Sequence, residues 1–96
     1  MSTELAGKSI YVEANGLRHR LLVYGEGNAR DLLIVPGITS PAATADFVAA
    51  PLSERGYRVY VPDLRGRGET DTPPAGSYTL SHYADDVHGL VSALHL

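Results

Sequence analysis

Two apolar strand patterns, each followed by a glycine-containing loop, constrain the fold of this chain more than any other feature. Residues 32–35 read Leu-Leu-Ile-Val and run directly into a Pro-Gly pair. A continuous apolar run without alternation is typical of a parallel strand covered on both faces. A second strand pattern, residues 57–61, leads through Pro62 into Asp-Leu-Arg-Gly-Arg-Gly at residues 63–68. The sequence therefore predicts an α/β fold with a parallel pair of strands.

The segment before this pair predicts an antiparallel hairpin. Residues 9–14 and 17–24 are rich in strand-forming side chains and flank Asn15 and Gly16. Asn-Gly is the pair that most readily adopts the positive φ angles of a type I′ turn. Two antiparallel strands should therefore precede the parallel ones.

Each parallel strand is followed by a predicted helix. Ser40 suits the N-cap of the first helix and Pro41 its first position, with Pro51 as a kink and Gly56 as the stop. The order is then β-β-β-α-β-α, in one unit that spans residues 1–96 with no internal boundary.

Thr79 is the predicted N-cap of the last helix, with Tyr78 and Tyr83 as a hydrophobic staple. Its apolar positions follow helical spacing, at Leu80, Tyr83, Ala84, Val87, Leu90, Val91 and Leu94. The other face is polar and should be solvated, with Ser81, His82, Asp85, Asp86, His88 and Ser92. The preceding loop, residues 64–77, is rich in Gly, Pro, Asp and Thr and should lie on the surface.

Composition excludes or disfavours several functional classes. The absence of cysteine excludes disulfides, a thiol nucleophile and cysteine-bound metal. A net charge of −3 without a basic run argues against nucleic acid and anionic membranes as partners. No segment approaches the roughly 18 apolar residues of a membrane span, and the N-terminus lacks the apolar run of a signal peptide. We expect a cytoplasmic protein.

The remaining titratable clusters do not suggest a metal site or an acid–base pair. His82 and Asp86 are four positions apart on the last helix but lack a third ligand nearby, so a solvated face is the better interpretation. Asp85 and Asp86 diverge by about 100° as helical neighbours. His19 is predicted within a strand. We expect no metal and no cofactor.

The segment Pro-Gly-Ile-Thr-Ser, residues 36–40, is a tight strand-to-helix connection at the carboxyl end of a strand. In doubly wound sheets, ligands bind at these ends where the winding reverses. Its exposed N–H groups can stabilise an oxyanion, and a plain βα turn with a helix cap is the alternative. Residues 63–68 are interpreted as a structural loop that contains an Arg-Asp pair, and Asp63 is not assigned a catalytic role.

Taken together, these signals resemble the first third of an α/β-hydrolase, from about residue 11 to residue 96. The similarity rests on the x-Gly loop, Asp-Leu-Arg-Gly-Arg-Gly-x-Thr, Tyr-Thr-Leu and an Ala-Asp-Asp-Val helix. Family members usually have His where this chain has Pro36, and Ser where it has Thr70. The Gly-Ile-Thr-Ser segment is similar to the N-formylmaleamate deformylases and related amide hydrolases. Haloalkane dehalogenases and epoxide hydrolases typically have Pro at the position of Thr39, so the resemblance implies a serine nucleophile rather than an aspartate.

The resemblance also implies roles for individual residues. Ile38 would donate the loop's N–H to an oxyanion, Gly37 would set the loop conformation, and Thr39 and Ser40 would line the substrate pocket. The family's nucleophile follows a Gly-x-Ser-x-Gly pattern, which does not occur in these 96 residues. The nucleophile, acid and histidine of the triad are therefore expected outside this segment, and the 96-residue chain alone is expected to be inactive.

The predicted function of the parent protein is hydrolysis of a small amide or ester, with an N-formylmaleamate-type deformylase as the most specific hypothesis. An enol-lactone or carboxylic-ester hydrolase is the alternative within the class. A non-catalytic α/β module that pairs with a partner chain is the alternative outside it. Besides the small-molecule substrate, we expect the missing C-terminal part of the fold, or another chain, at the open edge of strand 32–35. The last helix is expected to cover the sheet near that edge.

Overall fold

The sheet of this protein is mixed and has four strands, in the order β1-β2-β4-β3. We describe residues 7–96 from a computed structural model. The elements in chain order are β1 (Lys8–Ala14), β2 (Leu17–Tyr24), β3 (Arg30–Leu33), a 3-10 turn (Ala42–Ala45), α1 (Asp46–Glu54), β4 (Tyr57–Pro62) and α2 (Leu80–Ala93). The predicted order of strands and helices, and the α/β class, are confirmed.

The hairpin forms as predicted. Strands β1 and β2 pair antiparallel, with Ala14 opposite Leu17. Asn15 and Gly16 between them have φ angles of 50° and 78°. Positive φ at both positions is what a type I′ turn requires.

The parallel pair consists of β3 and β4, with Leu32 opposite Val59. Strand β4 also pairs antiparallel with β2, so β3 is an edge strand of the described sheet. The prediction of a strand over residues 32–35 was shifted by two residues. Pairing starts at Arg30 because an edge strand tolerates polar side chains, and Asp31 bonds Arg58 of β4 across the pair at 2.7 Å.

Both faces of the central strands are covered, which explains why residues 21–24 are all buried. Successive side chains of a strand point to opposite faces. Leu22 and Tyr24 pack with Val59 and Val61 against the 3-10 turn and α1, at Ala42, Ala45 and Ala49. On the other face, Leu21, Val23 and Tyr60 pack against Leu90 of α2. Helices thus cover both faces of the sheet, with α1 on one face and α2 on the other.

The first helical segment begins differently from the prediction. Pro41 itself is the N-cap and makes no side-chain cap bond, and the chain passes through the 3-10 turn before α1 starts at Asp46. Ser40 as N-cap was therefore wrong. The reason is tertiary, because the N–H of Ala42 is capped by the carboxylate of Asp63 at 2.7 Å. Pro51 lies inside α1 without ending it, and Gly56 follows with a φ of 98°.

The cap of α2 is confirmed, but its packing differs from the prediction. Thr79 forms a capping box with His82, and the rings of Tyr78 and Tyr83 lie 6.5 Å apart. The buried residues of α2 are Asp86 and Leu90, whereas Leu80 is 78% exposed. The helix lies closest to β1, with Leu90 over β2 and β4, so its predicted place beside the β3 edge was wrong.

The loop after β4 is also less exposed than predicted. Three of its residues are at most 5% exposed, namely Leu64, Arg65 and Thr70. Hydrogen bonds satisfy the polar side chains of Arg65 and Thr70 and so permit their burial, which composition alone does not reveal. No helix within residues 7–96 has the length and apolarity needed to cross a bilayer.

Candidate active site at the carboxyl edge of the sheet

The connection that follows β3 presents a β-turn at the carboxyl edge of the sheet. The Ser40 N–H donates to the Gly37 carbonyl at 2.9 Å, which places Ile38 and Thr39 at the tip. We call residues 37–40 the Gly37 turn. The side chain of Ile38 is 48% exposed, and Thr39 is exposed as well. Within residues 7–96 the Ile38 N–H has no hydrogen-bond acceptor, and we call this unpaired N–H the open donor of the turn.

Gly37 does not require a special backbone conformation, since its φ lies outside the positive range. A Cβ built at Gly37 would meet Ser40 Oγ at 3.5 Å, which is an ordinary contact. Packing among the described residues therefore does not require glycine at this position. Apart from the flanking residues, Ser40 Oγ is the one atom of the described residues within 4 Å of that position.

Asp63, the first residue after β4, holds the base of this turn. Its side chain is fully buried. One carboxylate oxygen accepts the Ala42 N–H at 2.7 Å. The other accepts Arg20 Nε at 2.8 Å and the Glu69 N–H at 3.0 Å. We call this set the Asp63 network, and it ties the chain after the Gly37 turn to β2 and to the loop after β4.

The charge of Asp63 is stabilised in this position. Burial disfavours the carboxylate and by itself would raise its pKa. The N–H donors of Ala42 and Glu69 and the guanidinium of Arg20 outweigh burial, and the pKa of Asp63 is lowered. Because its oxygens already accept three donors, Asp63 is suited to hold structure rather than to take up a proton.

Two further residues close the loop around Asp63. Thr70 Oγ1 donates to the Asp63 carbonyl at 2.8 Å and accepts the Arg20 N–H at 3.0 Å. Gly68 has a φ of 50°, and a Cβ there would overlap the Asp63 carboxylate. Glycine is therefore required at 68 both by its backbone angle and by this close approach.

Arg67, at the exposed end of the same loop, reaches back to the Gly37 turn. Its Nε donates to the Ile38 carbonyl at 3.1 Å. This contact joins the two loops across the carboxyl edge, and it fixes one face of the turn that carries the open Ile38 N–H.

A second buried ion pair lies on the α2 side of the sheet. Arg65 binds Asp86 with two parallel bonds, Nε to Oδ2 at 2.7 Å and Nη2 to Oδ1 at 2.9 Å. Asn15 Nδ2 adds a third donor at 2.8 Å. Burial opposes the charge, but these donors outweigh it and lower the pKa of Asp86. Asp86 therefore clamps α2 to the hairpin, and its predicted place on a solvated face was wrong.

The structure brings all four residues predicted for the site, Gly37, Ile38, Thr39 and Ser40, into one turn. The histidines have other roles. His19 lies within β2 as predicted and is also buried, with Nε2 3.1 Å from the Ala14 carbonyl, and His82 Nδ1 belongs to the α2 capping box. Sequence reasoning missed Arg67 as a neighbour of Ile38. The available signal was the charge in Gly-Arg-Gly, at the end of the neighbouring parallel strand.

Comparison with known proteins agrees with this geometry. Residues 32–96 match the model of the alpha/beta hydrolase fold family. The chain is 44% identical over 96 residues to the N-formylmaleamate deformylase of Pseudomonas putida, covering all of this chain and 34% of that protein. It is 52% identical over 84 residues to epoxide hydrolase 1 of Siraitia grosvenorii, covering 86% of this chain and 26% of that protein.

Among solved structures, the epoxide hydrolase VrEH1 from Vigna radiata superposes with a TM-score of 0.88 at 31% identity. The match covers 100% of this chain and 31% of VrEH1. The chain thus spans about a third or less of the length of the relatives it matches. With the fold, the turn after β3 and the matched family model in agreement, the chain belongs to the alpha/beta hydrolase family.

Proposed function

We propose that these residues form the N-terminal third of a serine-nucleophile hydrolase that cleaves a small amide or ester through an acyl-enzyme. The observation that carries the proposal is the open Ile38 N–H at the carboxyl end of β3, on a turn anchored by Asp63 and Arg67. A backbone donor held in place before the reaction stabilises developing negative charge without reorganisation.

The chemical role of the turn follows from acyl transfer. Attack of a hydroxyl on the scissile carbonyl places negative charge on the carbonyl oxygen. Two N–H donors usually bind this oxyanion in the family, one from the loop after the third strand and one from the residue after the nucleophile. Ile38 supplies the first donor, and the scissile carbonyl lies against the Gly37 turn. Thr39 and Ser40 line the substrate pocket beside it.

For the substrate, we propose an N-formylmaleamate-type amide. The deformylase from Pseudomonas putida aligns with every residue of this chain, including the Gly37 turn. Enol lactones and carboxylic esters are the alternatives with the same mechanism. The similarity to epoxide hydrolases favours epoxide opening as a competing function. Thr39 argues against it, because those enzymes typically have Pro at this position.

The test uses the full protein that contains these residues. We expect it to hydrolyse N-formylmaleamate faster than p-nitrophenyl acetate, with no opening of styrene oxide. A fluorophosphonate probe should label one serine. Epoxide opening without fluorophosphonate labelling would contradict the serine mechanism. Absence of turnover on all substrates would favour the non-catalytic module.

We also propose that the free side of β3 pairs with a strand from the rest of the protein. Strand β3 is bonded only to β4 within the described sheet. Unpaired backbone N–H and C=O groups along an edge strand are a template for pairing. The matched segment makes up 34% and 26% of two of the relatives, so those proteins have further chain to supply that strand.

Sedimentation of the isolated 96-residue chain tests this edge. We expect self-association or aggregation, reversed when the C-terminal remainder is co-expressed. A monodisperse monomer with a cooperative thermal transition would contradict the proposal, because it would mean that the β3 edge needs no partner.

A further inference from the structure

We propose that Arg67 binds a carboxylate of the substrate, so that the site selects amides or esters carrying a negative charge near the scissile carbonyl. This inference rests on the proposed hydrolytic function and extends it to the substrate class. It assigns Arg67 two contacts, one to the turn through Nε and one to the substrate through the terminal nitrogens.

The basic side chains within residues 7–96 differ in whether they have a partner. Carboxylates pair with Lys8, Arg20, Arg58 and Arg65. Arg18 and Arg30 lie over tyrosine rings. Arg55 and Arg67 have neither kind of partner in this part of the chain. Arg55 follows the end of α1, at the opposite edge of the sheet from the Gly37 turn. Arg67 is thus the unpaired cation at the candidate site.

The acidic groups of the same loop accept hydrogen bonds from donors other than Arg67. Asp63 accepts Arg20 and two backbone donors. Glu69 accepts the hydroxyl of Tyr11, and Asp71 accepts the Arg18 N–H at 2.9 Å. No carboxylate of residues 63–71 therefore pairs with the Arg67 guanidinium, which leaves its charge available to a ligand.

The position of the Arg67 guanidinium also suits a ligand beside the Gly37 turn. The bond from Arg67 Nε to the Ile38 carbonyl holds the guanidinium plane beside the Gly37 turn. A guanidinium presents five donors in a rigid fork, and its terminal nitrogens match the two oxygens of a carboxylate. An anion bound there lies next to the turn that receives the scissile carbonyl. The substrate class is therefore a short amide or ester with a free carboxylate a few bonds from the reacting centre.

The experiment compares two p-nitrophenyl succinates, one with a free carboxylate and one with that carboxylate methylated, using the full protein. We expect Arg67→Gln to lower the acid-to-methyl-ester ratio of kcat/KM by about 10–100-fold, mainly through KM, as for loss of a bond to a charged group. Arg67→Lys should retain part of the ratio. Any displacement of the Gly37 turn affects both esters equally and cancels in the ratio.

The matched control is Arg55→Gln, which removes the same charge from the far edge of the sheet and should leave the ratio unchanged. A ratio within twofold of the unaltered protein in Arg67→Gln would overturn the inference. Calorimetric titration with maleate provides a readout that does not need turnover. If neither ester nor N-formylmaleamate is hydrolysed, the proposed function fails. In that case an Arg67-dependent affinity for maleate would support the carboxylate site, and an equal affinity in Arg67→Gln would overturn it.

Discussion

The two loops at the carboxyl edge of the sheet differ in how their polar groups are satisfied. The loop after β4 is largely buried at its start, and Asp63, Thr70 and the Gly68 backbone are locked by mutual contacts. The loop after β3 is exposed, and its tip is held through one internal bond and the contact from Arg67. The buried loop after β4 supports the edge of the sheet, whereas the exposed loop after β3 carries the unpaired Ile38 N–H.

This difference separates stability from chemistry along the same edge. A group whose donors and acceptors are all paired has nothing left to offer a substrate, as at Asp63. A group left without a partner can bind one, which is the role proposed for the Ile38 N–H. Substitutions in the two loops should therefore affect different measurable quantities.

The largest effect is expected from Asp63→Ala. It leaves Arg20 without its carboxylate and two buried backbone N–H groups without an acceptor. Removing one partner of a buried ion pair costs about 3–5 kcal/mol. Chemical denaturation of the full protein should show a free energy of unfolding that is lower by this amount. The control Asp31→Ala removes an exposed pair with Arg58, worth about 0–1 kcal/mol. Equal losses in the two variants would mean that the Asp63 network does not support the edge.

A smaller loss is expected from Gly68→Ala. The new Cβ would overlap the Asp63 carboxylate at a φ of 50°. Strain and overpacking together should reduce the free energy of unfolding by about 2–4 kcal/mol. Gly76→Ala is the matched control, since Gly76 has a φ of 87° but nothing within 4 Å of its Cβ. The difference between the two variants measures the crowding alone, and no difference would contradict the close approach.

The acid limb of the stability curve gives a third test. Asp63 and Asp86 have lowered pKa values in the folded protein. Their contribution is therefore complete above the unfolded value of about 3.9 and is lost as the pH falls through the folded values. We expect the free energy of unfolding to decrease below about pH 4. Asp63→Asn, which does not titrate, should flatten this decrease. An unchanged slope would mean that Asp63 contributes nothing to it.

Local patterns predicted much of the fold. Asn15 and Gly16 identified the hairpin, and Thr79 identified the start of α2, because a turn and a cap depend on residues adjacent in sequence. The apolar run at residues 32–35 identified the parallel strand but misplaced its bounds. Strand pairing, rather than hydrophobicity, determines where β3 begins.

Long-range polar contacts account for what the sequence did not predict. Asp63 caps Ala42 from 21 positions away, so Ser40 was assigned a cap that it does not form. Asp86 is buried because Arg65 lies opposite it, against the helical pattern that placed it in solvent. Arg67 contacts Ile38 only because the fold brings their two loops together. Each case depends on a partner that spacing along the chain does not specify.

The kcat of an Ile38→Pro variant of the full protein tests the central claim most directly. Proline removes the proposed oxyanion N–H, and loss of one such donor typically lowers kcat by about 10²–10³-fold. Thermal unfolding of the same sample must first establish that the variant is folded. We predict a kcat reduced by that factor with a folded protein. A folded variant with undiminished kcat would contradict the assignment of the Gly37 turn as the oxyanion site.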